Sequence, residues 1–156
     1  MFARMLVPLD GSPLAEGIMP EVAELARIHG AEVMLLRVAL AHTFPGVDAT
    51  DAQVHAVSHI PHPPLEQLRE EMVREAGQAL QRRVRRKLRF LPRAKTMVVA
   101  GPPFRRIIRY AGEHHVDLIV MGTQGLTGLD RLIMGSTAER VVRTAPCPVV
   151  SIRAAA

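Results

Sequence analysis

The residues best suited to chemistry lie in Gly122-x2-Gly125-x9-Gly135-Ser136, between a short apolar run and a segment that reads as a helix start. Glycines let a backbone reach positive φ and bring its N–H groups close to an anion, and a helix N-terminus adds further donors and a partial positive charge. A phosphate chain suits such a loop. The same residues would also serve as plain turns with Ser136 capping its helix, so the spacing alone leaves both readings open. Two other phosphate motifs fail. A Walker loop needs Gly-Lys-Ser/Thr, but the two lysines, Lys87 and Lys95, do not follow glycine, and Gly122, Gly125 and Gly128 give GxxGxxG rather than GxGxxG. The loop has one acid, Asp130, and no evident general base.

Asp10 is the second candidate, at the end of the apolar run RMLVPL. Asp-Gly is turn chemistry anywhere, yet a carboxylate at the carboxyl end of a strand is also where a ligand would meet it. Facing polyphosphate it would repel the ligand unless a hard cation intervened, so Asp10 points to Mg²⁺ or Mn²⁺ held on the phosphates. His55, His59 and His62, with Asp51 a turn earlier, have metal-ligand spacing for a helix, but Pro61, Pro63 and Pro64 argue against a helix there. Cys147 lies between two prolines and reads as a small packed residue without catalytic duty.

The elements that must position these residues alternate. Arg4 to Leu9 reads as a strand, Ser12-Pro13 as a helix cap and first position, and Leu14, Ile18, Val22 and Leu25 as one buried helical face ended by Gly30. Glu32 to Leu40 is a second strand, and a loop rich in Pro and His follows from His42 to Pro64. A long helix then starts in glutamates (Glu66, Glu70, Glu71, Glu75) and ends in arginines, matching the helix dipole. Lys95 to Ala100 is a third strand, followed by a helix with Phe104, Ile107, Ile108 and Ala111 on one face, and Asp117 to Met121 is a fourth. Ser136-Thr137-Ala138-Glu139 reads as a capping box opening a last helix, and Pro148 to Ile152 is a fifth strand. The expectation is a doubly wound α/β fold with a five-stranded parallel sheet, four helices on its two faces, and ligands outside the strand carboxyl ends.

Composition bounds the function. The 156 residues are 48% apolar and 22% charged with mean hydropathy +0.12, which fits one globular domain and argues against disorder. No apolar run approaches the ~18 residues of a membrane span, Arg4 and Asp10 interrupt any signal-peptide core, and a lone cysteine excludes an internal disulfide. A cytoplasmic protein is expected. The net charge of +5 is concentrated in seven cations between Arg82 and Arg93, leaving −2 elsewhere. That run could grip nucleic acid, but with Phe90 as its one aromatic it fits a solvated, dipole-matched helix better.

MGTQGLTGLDRLIMGSTAERVVRTAPCPVVSIR, with LVPLDGS, LLRV and VVAGPP, resembles the universal stress protein family over essentially the whole chain, and the glycine spacing is similar to that of its ATP-binding branch. The resemblance implies a single domain over residues 1–156 and a nucleotide site. In that site Gly122, Gly125, Gly135 and Ser136, with Thr137 beside them, hold phosphates and ribose. Asp10 lies beside the nucleotide, Val38 holds adenine through its backbone, and Gly101 is the small residue after the third strand. It also implies a homodimer paired through Pro148 to Ile152. The expected function is an ATP-binding, stress-responsive regulator or interaction module. A slow ATPase or adenine-nucleotide transferase is the alternative.

Overall fold

The computed structural model describes residues 1–39, 63–84, 91, 93–123 and 134–153. Strand β1 (Arg4–Leu9) leads into helices α1 (Pro13–Gly17) and α2 (Met19–His29), then β2 (Glu32–Ala39). Helix α3 (Pro63–Val84), β3 (Ala94–Ala100), α4 (Pro103–Glu113), β4 (Leu118–Gly122), α5 (Ser136–Thr144) and β5 (Val149–Ile152) follow. The five strands are all parallel, in the order β3-β2-β1-β4-β5. Chain direction across the sheet reverses between β1 and β4, so the crevice at their carboxyl ends is the topological switch point.

Strands buried on both sides need near-continuous apolar residues, and β1, β2 and β4 have them. Alternation along each strand divides the core into two layers. Met5, Val7, Val33 and Leu35 pack with Ile18, Val22 and Leu80 on the side of α1, α2 and α3. Leu6, Met34, Leu36 and Val38 pack with Ile107, Ala111 and Val141 on the side of α4 and α5.

Local chemistry explains the boundaries. The hydroxyl of Ser12 accepts the Ala15 N–H at 3.0 Å and Pro13 occupies the first helical position, as expected. Gly30 ends α2 with φ 62°, a left-handed cap. The single helix expected over residues 14 to 29 is instead two, joined at Ile18. Pro20 is the reason: it has no N–H to donate to Glu16, and its ring collides with that carbonyl in an unbroken helix. Helix α3 is described from Pro63, inside the segment read as loop. The His55, His59, His62 and Asp51 group lies outside the described residues, as do Arg85, Arg86, Lys87 and Arg89 of the arginine run.

Candidate functional site

Every strand's carboxyl end contributes to one edge of the sheet. Asp10 follows β1, and its Oδ1 accepts the Ser12 N–H at 2.8 Å, so the carboxylate shapes the turn into α1. Between them Gly11 has φ 81°, a left-handed conformation that glycine adopts at no steric cost. On β2, pairing with β1 ends at Arg37, while Val38 and Ala39 still pair with Val99 and Ala100 of β3. The Val38 side chain is buried in the core beside α4 and α5, so this residue can offer a ligand its backbone alone. The Gly101 N–H donates to the Ala39 carbonyl at 3.0 Å, which fastens the β3 exit against β2.

On the other side of the switch point, the Thr123 N–H donates to the Ile152 carbonyl at 3.0 Å, and the Gly135 N–H to the Thr123 carbonyl at 2.9 Å. These two bonds place the start of α5 beside the ends of β4 and β5. Gly122, Gly135, Ser136 and Thr137 therefore share the edge with Asp10, Val38 and Gly101, whereas Gly125 lies outside the described residues. The expected capping box does not form. Gly135, not Ser136, is the N-cap (φ −60°, ψ 145°), and no side chain caps the helix. Ser136 is thus the first helical residue, and the first-turn amides, which have no partner within a helix, are of the kind that suits an anion. With φ at −60°, Gly135 has a backbone conformation open to any residue.

Two arginines that sequence reasoning passed over reach the same edge. Arg37, half-buried at the end of β2, lies across the Gly11 turn, where a methyl group built on Gly11 would come 2.9 Å from its Cζ. Arg106, half-buried in the first turn of α4, lies over Gly101, whose φ is 132°; a methyl group there would come 2.6 Å from its Nε. The available signal was a charge inside the apolar strand EVMLLRVA. Arg140 of α5 sits 6.0 Å from the centroid of the Phe104 ring, linking α5 to the first turn of α4.

No group of three or more His, Cys, Asp or Glu side chains among the described residues could hold a metal. Cys147 is half-buried, and burial, then the nearby Asp117 charge, push its thiol above the ordinary range, consistent with an unreactive packed residue. No described helix is long and apolar enough to cross a membrane.

A five-stranded, doubly wound parallel sheet with helices on both faces defines the α/β class of this chain, in which the carboxyl edge at the switch point is the expected place for a ligand. Residues 1–153 match the universal stress protein family, and the chain belongs to it. It is 31% identical over 162 residues to a universal stress protein of Thermus aquaticus, with 98% of this chain and 100% of that one covered. Among solved structures it is similar to the universal stress protein UspA of Lactobacillus plantarum, at 29% identity and TM-score 0.72 with 97% and 98% of the two chains covered. The same fold occurs in an Arabidopsis thaliana member solved with AMP bound, at 14% identity and TM-score 0.60, covering 99% of this chain and 93% of that one.

Proposed function

We propose that the chain belongs to the ATP-binding branch of its family and acts in the cytoplasm as a nucleotide-responsive regulator or interaction module. The observation that carries this reading is the pinning of the α5 N-terminus beside β4 through the Gly135-to-Thr123 bond. In this reading phosphates and ribose meet Gly122, Gly125, Gly135, Ser136 and Thr137, while adenine meets the Val38 backbone near Asp10 and Gly101. The AMP bound by the Arabidopsis relative supports an adenine nucleotide as the class of ligand.

Gly125→Val and Gly135→Val test it by calorimetry on folded protein: both are expected to lose ATP binding. Retained affinity in both would remove the loop from the site. Asp10→Asn isolates the metal, because an amide oxygen can still accept the Ser12 N–H. This variant is expected to bind ATP in chelator at least as well as the parent and to lose most of the gain from Mg²⁺ or Mn²⁺. An unchanged metal response would exclude Asp10 from the ion.

A slow ATPase or adenine-nucleotide transferase is the second reading. Positioned phosphates without a general base favour holding over turnover, so hydrolysis is expected far below the ~10 s⁻¹ typical of enzymes. Assembly as a homodimer through residues 148–152 fits β5 as an edge strand with Val150 exposed. Light scattering that finds only monomer at micromolar concentration would contradict it. Nucleic-acid binding through Arg82 to Arg93 would instead show affinity that collapses with salt and survives loss of the glycines.

A further inference from the structure

We infer that the outer face of α3 is an interface for a second copy of this chain, with the two α3 helices pairing antiparallel about a two-fold axis between Ala76 and Gly77. The inference rests neither on the nucleotide reading nor on pairing through β5. One side of α3 is committed to the sheet. Leu80 is buried in the core layer shared with α1 and α2, and a methyl group built on Gly77 would come 3.5 Å from the Val98 Cγ2 on β3. At about 100° per residue, Glu71, Glu75, Gln78 and Arg82 fall in one line on the opposite side of the helix. All four are exposed.

That line is complementary to itself. Its spacing of four, three and four residues is that of a coiled-coil seam. With the axis between Ala76 and Gly77, Glu71 meets Arg82 of the partner subunit, Glu75 meets Gln78 of the partner subunit, and both contacts recur with the roles reversed, as a two-fold interface requires. The helix dipole accounts for acids early and arginines late in α3, but not for oppositely charged residues at equal distances from one point on the face turned away from the sheet. Within one copy Arg74 donates to Glu71 at 3.2 Å and Arg82 to Gln78 at 3.3 Å. A carboxylate accepts from more than one guanidinium, so pairing adds contacts without breaking these. A polar seam sets register more than strength, and exposed ion pairs are individually weak. The association is therefore low in affinity and sensitive to salt.

Sedimentation equilibrium on a Val150→Lys background, which removes pairing at β5, isolates this face. That protein is expected to dimerise with a Kd of about 0.1 to 1 mM in low salt and about tenfold more weakly in ~0.5 M salt. Two double variants of equal net charge then read the register. Glu71→Arg/Arg82→Glu exchanges the partners and should keep the Kd within about threefold, whereas Glu70→Arg/Arg82→Glu sets Glu71 against an acid and should weaken pairing about tenfold or more. Circular dichroism checks that both keep their helix. Mixing Glu71→Arg chains with Arg82→Glu chains, each expected to stay monomeric, should restore a dimer. A background protein that remains monomeric at ~1 mM in low salt, equal association of the two double variants, or no dimer in the mixture would overturn the inference.

Discussion

The two edges of the sheet treat polar groups in opposite ways. At the amino edge, charges are consumed in joining strands. The Asp117 carboxylate accepts the Ala3 and Arg4 N–H groups at 2.8 and 3.1 Å, the Arg4 guanidinium donates to the His114 carbonyl at 3.1 Å, and Glu32 pairs with Lys95. Arg93 donates to the Gly30 carbonyl at 3.2 Å. At the carboxyl edge, glycines take left-handed conformations after β1 and β3, and α5 begins without a side-chain cap. On the proposed reading, the edge whose charges join elements contributes stability, and binding belongs to the edge of glycines and the α5 start. Parallel strands make this division possible, since all carboxyl ends fall on one side.

The largest expected effect is on binding: Gly135→Val should lower ATP affinity about 100-fold or more while leaving the thermal midpoint nearly unchanged, because φ of −60° accepts valine and only the ligand's space is filled. Next is Asp117→Ala, expected to lower unfolding free energy by about 1 to 3 kcal/mol in a urea titration without altering ATP affinity. A drop in affinity there would blur the division between edges. Gly11→Ala should cost about 1 to 2 kcal/mol, since an L residue at φ 81° is strained and its methyl group displaces Arg37. Unlike Asp117→Ala, it should also weaken nucleotide binding.

The smallest effect concerns Glu32. Its hydrogen bond with Lys95, aided by the charges of Lys95, Arg4 and Arg93, holds its carboxyl below the ordinary carboxylate range. A lowered folded value means the contribution is present above the ordinary range and lost as pH falls through the folded value. The midpoint difference between parent and Lys95→Met should therefore shrink between about pH 6 and pH 3, and shrink throughout in high salt.

Much of the frame was legible in the chain. The run RMLVPL became β1 residue for residue, the Ser12-Pro13 cap formed, and Phe104, Ile107, Ile108 and Ala111 face the core. These features rest on local chemistry and periodicity, which a sequence displays. The break at Ile18 was also written locally, in Pro20, but the apolar spacing that runs through it masked the proline. Ser136 misled for a different reason: Gly135 takes the capping position because its N–H is held by Thr123, a tertiary bond that no local pattern encodes. Arg37 and Arg106 were illegible as site residues because register and helix placement decide where an arginine side chain ends. Of the residues the resemblance assigned, Asp10, Val38, Gly101, Gly122, Gly135, Ser136 and Thr137 meet at one edge, since each adjoins a strand end or the start of α5.

The most direct test of the division between edges is an amide chemical-shift map of the protein titrated with ATP and Mg²⁺. Shifts are expected at Gly101, Gly122, Thr123, Ser136 and Thr137, with Ala3, Glu32 and Asp117 unmoved. Shifts centred on the amino edge, or a carboxyl edge that stays silent at saturating nucleotide, would contradict it.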